Sequence, residues 1–228
     1  MIVGAFLTQN TAWTNVEKGM RNLRAEDLLT VDSMRSVEVD RLERLVRPAG
    51  YFRQKSARLK GFVAFLDARH GGSPERMFSQ PTQKLRAELL ALNGVGPETA
   101  DSILLYAGNH PVFVVDAYTR RILHRHGIVS SETEYEIIRE LWETALRPLA
   151  GDTGGDFPAE AASFRCDHPA SVLSAAPRSE LAQCFNEMHA LIVHVGKYNC
   201  RKKKPLCETC PLACFLPSKG PKSLDQPL

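Results

Sequence analysis

The stretch LNGVGPETAD, residues 92–101, decides how this chain folds. Gly94 and Gly96 flank one apolar residue and allow a tight turn that a Cβ would obstruct. Pro97 stands where a helix can begin, because the N–H that proline lacks has no partner in a first helical turn. We therefore predict a helix, a hairpin turn and a second helix over about residues 82–106. The first N–H groups of the second helix would point outward and, with the helix dipole, suit a phosphate oxygen of a nucleic-acid backbone.

The composition indicates an all-α protein, because helix-forming residues dominate and alternating apolar and polar residues are scarce. With 228 residues, 43% of them hydrophobic, the chain can form one large domain or two lobes with a real core. Further helices are predicted at residues 37–46, 56–69, 117–125, 132–146 and 181–195. Another helix runs to about Leu23, and Thr11 or Thr14 can cap it. Arg53 and Lys55 are candidates to face phosphate, although such residues usually face only solvent.

The chain begins with the apolar segment Met1–Leu7, a pattern typical of the middle of a buried helix without a cap. We expect that the start is truncated here. The segment is too short and too poor in basic residues for a signal peptide. No span approaches the ~20 apolar residues of a transmembrane helix, so we expect no membrane contact.

Four cysteines lie within fifteen positions near the end of the chain. They are Cys200, Cys207, Cys210 and Cys214, separated by six, two and three residues. This crowding predicts metal ligation rather than disulfide bonds. Four thiolates can hold a [4Fe–4S] cluster or a tetrahedral zinc ion, and the spacing alone does not choose between them. The two other cysteines, Cys166 and Cys184, are not expected to ligate metal.

Three features in a fixed order resemble the helix-hairpin-helix DNA glycosylase superfamily, in its endonuclease III branch. They are Leu-x-Gly-Val-Gly-x-x-Thr-Ala at residues 92–100, Val-Asp at 115–116 and the cysteines at 200–214. The likeness covers nearly the whole chain, and the three features together are far more specific than a Gly-Val-Gly turn alone. The resemblance implies two helical lobes with the active cleft between them. Its parts would be a helical barrel lobe at 1–111, an iron–sulfur lobe at 112–217 with an insertion at about 151–179, and a tail at 218–228.

The resemblance also implies base excision from double-stranded DNA that carries a damaged or mismatched base, by a monomer. Asp116 would stabilise the oxocarbenium-like transition state at the sugar and orient or deprotonate a water. An aspartate before a helix start can also be a purely structural N-cap. Gln9 would fill the gap that the flipped base leaves, or only cap a loop. The backbone of Gly94, Val95 and Gly96 would hold the DNA.

Trp13 bears on the substrate. In the branch of the family that acts on alkylated purines, an aromatic side chain at this place stacks on the flipped base. An indole face would attract a positively charged alkylated purine through a cation–π interaction. Trp13 could equally be a core residue. An alkylated purine is the preferred prediction, with oxidised pyrimidine or mismatched thymine or uracil as alternatives.

Glu98 departs from the pattern of the bifunctional family members. They carry a lysine eighteen residues before the aspartate, and its amine forms a Schiff base before the strand is cut. Glu98 occupies that position here, and a carboxylate cannot form an imine. We therefore predict a monofunctional glycosylase that leaves an abasic site. The alternatives are a bifunctional glycosylase/lyase, with Lys55 as a substitute amine, and a non-catalytic DNA-binding module.

The cysteine spacing also resembles the family's cluster, which has the same first two gaps but usually a longer last one. The short gap before Cys214 is therefore a departure, and a [4Fe–4S] cluster remains the preferred prediction, with zinc as the alternative. Lys202 lies in the basic run 201–204 between the first two cysteines, where a cluster would hold it against DNA phosphates. His189 and His194 are predicted to be packing or surface residues. The expected location is the cytoplasm, of bacterial type, in association with the nucleoid.

Overall fold

The computed structural model describes residues 1–151 and 178–224 of the chain. In these ranges all regular structure is helical, which confirms the predicted all-α class. The insertion expected at about 151–179 lies outside the described residues except at its edges, and so does Cys166. No helix in the described part of the chain combines the length and the apolar content needed to cross a membrane.

The contacts divide the chain into two units, Met1–His110 and Pro111–Leu228. In the first unit the helices are α1 (Ile2–Thr8), α2 (Trp13–Ala25), α3 (Val31–Ser36), α4 (Val39–Val46), α5 (Phe52–His70), α6 (Pro74–Phe78), α7 (Thr82–Leu90) and α8 (Pro97–Gly108). The predicted hairpin is formed by α7 and α8. α8 extends two residues beyond the prediction and ends where Asn109 adopts a left-handed conformation with φ of 56°.

The core of the first unit forms around α5. Leu59, Phe62 and Leu66 of this helix are buried, as their spacing predicts. The ring of Phe62 lies 5.7 Å from the ring of Phe6 in α1, which is also fully buried. Burial of a side chain of this size stabilises the fold by about 1.5–3 kcal/mol. The apolar start of the chain is therefore part of this core.

The helix predicted at 37–46 is present as α4, which begins two residues later, at Val39, and ends at Val46 as predicted. A further short helix, α3, which was not predicted, precedes it. Thr30 and Ser33 cap α3 reciprocally: the Ser33 N–H donates to Thr30 Oγ1 at 3.1 Å, and the Thr30 N–H donates to Ser33 Oγ at 3.3 Å. Val37 then takes an extended conformation, with φ of −59° and ψ of 133°, which ends α3. A new helix can start only at Val39. The reciprocal cap therefore marks the start of α3, and the extended Val37 separates α3 from α4.

Lys55 does not face phosphate, so that prediction is wrong. Its side chain is 1% exposed, and its Nζ donates to the carbonyl oxygens of Leu7 at 2.9 Å and Ala49 at 2.7 Å. Burial lowers the pKa of the Lys55 amine, and the charge of Arg58 lowers it further. The amine thus joins α5 to the end of α1. Arg53 is exposed, as expected, with its guanidinium 3.8 Å from Glu43.

A buried ion pair joins the two helices of the hairpin. Asp101 of α8 is completely buried. Arg86 of α7 donates to both of its carboxylate oxygens, from Nε at 2.7 Å and from Nη2 at 3.0 Å. Removing one partner of such a pair leaves an uncompensated charge and costs about 3–5 kcal/mol. The pair therefore fixes how α7 and α8 pack.

The second unit contains α9 (Ala117–Arg125), α10 (Tyr135–Leu146) and α11 (Glu180–Tyr198) in the described residues. The bounds of α9 are those predicted. The preceding run at 112–115 is buried and without regular structure, with Phe113 at its centre. The Phe113 ring stacks on Trp142 of α10 with 5.1 Å between centroids, and its N–H donates to Glu143 at 2.9 Å. The run is therefore anchored where it delivers Asp116.

α9 packs closely against α11. Arg121 of α9 donates to the carbonyl oxygens of Cys200 at 2.7 Å and Gly196 at 2.9 Å, at the end of α11. A Cβ on Gly196 would come within 2.4 Å of the Tyr118 ring. Glycine is therefore needed at this crossing, and Arg121 satisfies carbonyl groups that the helix end leaves without intrahelical donors.

Candidate active site

The hairpin turn requires one of its two glycines. Gly94 has φ of 76°, and a Cβ there would lie 2.1 Å from Nε of Arg58. Gly96 has φ of −92°, and no atom lies within 4 Å of an added Cβ, so the prediction that a Cβ would obstruct the turn is wrong at this position. Val95 is buried, and its N–H donates to the Leu92 carbonyl oxygen at 3.1 Å within the turn. No side chain caps the start of α8 at Gly96.

Gln9 is bound to this turn. Its Nε2 donates to the Gly94 carbonyl oxygen at 2.9 Å and to Thr99 Oγ1 at 3.0 Å. Arg58 Nη1 donates to Gln9 Oε1, which fixes the orientation of the amide. The residue predicted to fill the gap in DNA is thus held against the hairpin. Arg58 gave no sequence signal, because its partner Gln9 is 49 residues away along the chain.

Trp13 is 54% exposed and is the first residue of α2. The alternative that Trp13 is a core residue is therefore wrong. The N-cap of α2 is Ala12, and no side chain donates or accepts a capping hydrogen bond there. The predicted cap by Thr11 or Thr14 is also wrong, because the chain enters α2 one residue after Thr11 and Thr14 lies inside the helix.

Asp116 is the N-cap of α9. Its Oδ1 accepts hydrogen bonds from the Thr119 N–H at 2.8 Å and from Thr119 Oγ1 at 2.9 Å. Its Oδ2 lies 3.6 Å from Nε2 of His189 in α11. The side chain of Asp116 keeps 14% of its surface exposed. One carboxylate oxygen is therefore occupied by the helix start, and the other faces an imidazole.

His189 is buried, as its predicted packing position implies. It follows Phe185 by four residues and precedes Ile192 by three on the buried face of α11, so helical periodicity indicates its burial. The pKa of His189 is lowered by burial, while the charge of Asp116 acts to raise it. Its proximity to Asp116 could not be predicted, because 73 residues separate the two along the chain.

Glu98 lies in the first turn of α8 and is exposed. A carboxylate in this position interacts favourably with the helix dipole. The position that carries a lysine in bifunctional relatives thus holds an acidic side chain at the open end of the hairpin helix.

Three of the four clustered cysteines line one cavity, whose walls are mostly apolar. They are Cys200, Cys207 and Cys210. Cys214 is exposed and is not part of the lining. Burial raises the pKa of the Cys207 thiol, and the charges of Cys210 and Cys200 raise it further. Among the described residues, no three Cys, His, Asp or Glu side chains are arranged so that they could hold a metal ion.

Arg125 organises the loop between these cysteines. Its Nη1 donates to Cys200 Sγ at 3.2 Å and to the Arg201 carbonyl oxygen at 2.7 Å. Its Nη2 donates to the Lys202 carbonyl oxygen at 2.8 Å. The main chain of the basic loop is therefore fixed, while the side chain of Lys202 is exposed.

These features define a helix-hairpin-helix protein with an accessible carboxylate at a second helix start. The sequence model of the HhH-GPD superfamily, described as base excision DNA repair protein, matches residues 3–147. The chain belongs to the HhH-GPD superfamily, in its endonuclease III-like branch, which confirms the resemblance seen in the sequence.

Its relatives include a candidate DNA repair glycosylase of Methanocaldococcus jannaschii, which is 40% identical over 220 residues, or 96% of this chain and 85% of the relative. Endonuclease III of Thermotoga maritima is 25% identical over 211 residues, covering 92% of this chain and 78% of the relative. The solved H. pylori 3-methyladenine DNA glycosylase, bound to 1,N6-ethenoadenine, has a TM-score of 0.70 and 27% identity and covers 86% of this chain and 83% of that one. The chain is thus similar to DNA repair glycosylases over most of its length. It is a DNA glycosylase of base excision repair, with DNA as its partner.

Proposed function

We propose that this protein is a monofunctional DNA glycosylase that hydrolyses the N-glycosidic bond of a flipped, damaged base, with Asp116 as its catalytic residue. The observation that carries this proposal is that the two oxygens of the Asp116 carboxylate have different contacts. Oδ1 is held by Thr119, and Oδ2 belongs to a partly exposed side chain that can meet the sugar. A fixed negative charge there would stabilise the developing oxocarbenium ion and orient or deprotonate the attacking water.

The positions of amines support hydrolysis without strand cleavage. Glu98 stands where bifunctional relatives have their nucleophilic lysine. Lys55, the alternative amine, is buried with its Nζ donating to two carbonyl oxygens, so it is not available to attack a sugar. An imine needs a free amine, and neither position supplies one. We expect an abasic site as the product.

An alkylated purine is the proposed substrate. The exposed indole of Trp13 offers a π-face to which a positively charged base is attracted. Similarity to the 3-methyladenine glycosylase of H. pylori, bound to a modified adenine, supports the same class. An oxidised pyrimidine or a mismatched thymine or uracil would be recognised without a cationic base, and the test below distinguishes these substrates.

The proposed enzyme would contact DNA in two ways, at the phosphates of the DNA backbone and in the space that the flipped base leaves. The backbone N–H groups of Gly94 and Gly96 would receive a phosphate at the start of α8, while the Val95 N–H donates to the Leu92 carbonyl oxygen and holds the turn. Gln9 would leave its bonds to Gly94 and Thr99 and fill the space vacated by the flipped base. Lys202, on the loop fixed by Arg125, would add a phosphate contact that weakens with salt.

We propose that the cysteine loop holds a [4Fe–4S] cluster, with zinc as the alternative. Three thiols that line one apolar cavity and the Arg125 donor to Cys200 support this proposal, and the three side chains would have to turn toward one another to ligate a metal group. Cys214 would have to turn toward the cavity to complete the set. When bound, such a cluster would serve to hold the loop structure. Iron, zinc and acid-labile sulfide analysis of the purified protein, with visible absorbance, decides between the two metals.

A panel of duplexes tests the proposed function. Each duplex carries one lesion from one class: alkylated purine, oxidised pyrimidine, or mismatched thymine or uracil. Base release is measured under single-turnover conditions, with and without alkali to cleave abasic sites. We expect release of alkylated purine, strand cleavage only after alkali, and no adduct trapped by borohydride. A trapped adduct would establish the bifunctional alternative, and DNA binding without any base release would establish the non-catalytic one.

A further inference from the structure

His189 is a buried histidine beside the proposed catalytic carboxylate, and the functions described so far leave it without a use. We infer that Asp116 and His189 form one proton-accepting pair, in which His189 is a positioning residue that takes up, through Asp116, the proton lost by the attacking water. This inference rests on the proposed function and adds a second residue to its site.

The geometry makes the two oxygens of Asp116 unequal. The N–H and the hydroxyl of Thr119 donate to Oδ1 at 2.8 and 2.9 Å. Oδ2 is instead 3.6 Å from His189 Nε2. That distance exceeds the hydrogen-bond range but leaves the two atoms in close contact. A proton that arrives on Oδ2 could then be shared with Nε2.

Asp116 is a charged group in contact with His189, with Oδ2 3.6 Å from Nε2. The imidazole packs edge-on to Phe113, with 6.3 Å between ring centroids. The charged residues on the elements packed against α11 are Asp116, Arg120, Arg121, Arg125, Glu136, Arg139, Glu140, Glu143 and Arg147. Arg139 and Glu143 pair with each other at 2.7 Å, and Arg121 donates to backbone carbonyl groups. The carboxylate of Asp116 is the charge that raises the His189 pKa against the effect of burial.

The proposed step balances as follows. The oxygen of water forms a bond to C1′ of the sugar while the C1′–N bond breaks, and the electron pair of that bond leaves with the base. The proton of the water moves to Asp116 Oδ2 and from there to His189 Nε2. Asp116 is again a carboxylate beside the sugar, now paired with an imidazolium. Because burial lowers the His189 pKa, the imidazole is neutral and ready to accept this proton at neutral pH.

Protonation of His189 before the reaction would have the opposite effect. It would remove the proton acceptor, and its positive charge would oppose the charge that develops on the sugar. The rate of base release should therefore fall as the pH drops through the pKa of His189. This fall in rate at low pH, the acidic limb of the pH profile, is best measured with a substrate whose damaged base already carries a positive charge. Such a base needs no proton to leave, so protonation of the base does not contribute to the profile.

Nuclear magnetic resonance of the intact protein tests the pair without any substrate. The ring nitrogens of ¹⁵N-labelled histidines are titrated in the parent protein and in Asp116→Asn. We expect a His189 pKa below the usual 6.5, and a lower one still in the variant, because the carboxylate that raises it is gone. An unchanged His189 pKa in Asp116→Asn would overturn the inference, whether or not the protein excises any base.

Single-turnover base release against pH tests the role in the reaction. We expect His189→Gln to lower the rate at neutral pH by about 10²-fold and to remove the acidic limb. His194→Gln is the matched control, since His194 is exposed on the same helix, and it should keep both the rate and the limb. An acidic limb that persists in His189→Gln would overturn the pair. Loss of base release in the parent protein on all duplexes would overturn the proposed function instead, while the titration still decides whether the pair exists.

Discussion

Two helix N-termini in this protein have nearly the same backbone conformation but present opposite charges to a ligand. Gly96, before α8, has φ of −92° and ψ of 176°, and Asp116, before α9, has φ of −104° and ψ of −177°. At Gly96 no side chain caps the helix, so no cap neutralises the positive end of the helix dipole there. At Asp116 the side chain accepts the Thr119 N–H itself. The helix start at Gly96 can therefore bind a negatively charged group, whereas the helix start at Asp116 carries a negative charge of its own.

The difference comes from the side chain alone, since the backbone conformations match. A glycine leaves a helix dipole open to a phosphate oxygen, whereas an aspartate neutralises part of the dipole and retains a second oxygen for chemistry. The same local device thus serves DNA binding in the first unit and bond cleavage in the second, according to the proposed function.

The largest expected effect comes from removing the negative charge at the second of these helix starts. Asp116→Asn should reduce single-turnover base release by about 10³-fold, because the amide carries no charge to stabilise the oxocarbenium ion. Asparagine is as good an N-cap as aspartate, so α9 and DNA affinity should be preserved. Asp116→Ala should in addition lower the free energy of unfolding by about 1 kcal/mol. Base release by Asp116→Asn within tenfold of the parent rate would remove Asp116 from the mechanism.

The two glycines of the hairpin give a matched pair for the first helix start. Gly94→Ala should lower the free energy of unfolding by about 1–2 kcal/mol, because alanine at φ of 76° is strained and its Cβ would displace Arg58. Gly96→Ala meets open space at an ordinary φ, so its unfolding free energy should stay within about 0.5 kcal/mol of the parent. Denaturant unfolding measures both. Equal losses in the two variants would contradict the geometry of the turn.

The contacts of Gln9 sharpen the comparison, because they tie a neighbouring loop to the uncapped helix start. In a double-mutant cycle, Gln9→Ala and Arg58→Met should show a coupling of about 1 kcal/mol in the free energy of unfolding. Arg53→Met, on the same helix and exposed, should be additive with Gln9→Ala. A cycle with Arg58→Met that is additive as well would mean that the guanidinium does not hold the amide.

The smallest expected effect concerns phosphate contacts away from both helix starts. Lys202→Ala should weaken DNA binding modestly and reduce the slope of log affinity against log salt by about 1, since one phosphate contact is lost. Lys84→Ala, an exposed change on α7 outside the proposed contacts, should leave the slope unchanged. Affinity measured by fluorescence anisotropy at several salt concentrations decides the point. An unchanged slope in Lys202→Ala would remove this residue from the DNA interface.

Local signals predict much of this fold. Gly94 and Pro97 mark the hairpin, and the aspartate at 116 marks the start of α9, because turn and cap preferences act within a few residues. The start of α3 is marked by the reciprocal cap of Thr30 and Ser33, a signal present in the sequence that apolar periodicity does not show. Each of these features depends on interactions between residues that are close together in the sequence.

The contacts of the candidate site could not be predicted in the same way, because they join distant parts of the chain. Lys55 resembles a surface lysine, yet its amine reaches the carbonyl of Leu7, 48 residues earlier. His189 is inward-facing by periodicity, but only the packing of α11 brings it to Asp116. The separation of Cys214 from the other thiols likewise depends on how the last turns of chain fold, although the short gap before it is visible in the sequence.

The helix α9 has Asp116 at one end and Arg125 at the other. It is a stiff rod of nine residues, about 14 Å long, so neither end can shift far without moving the other. Arg125 joins this helix by hydrogen bonds to the sulfur of Cys200 and to the backbone of the loop that follows. Damage to the cysteine loop, such as oxidation, would thus be transmitted as a misalignment of the carboxylate, and repair capacity would decline in an enzyme whose reacting residues are all intact.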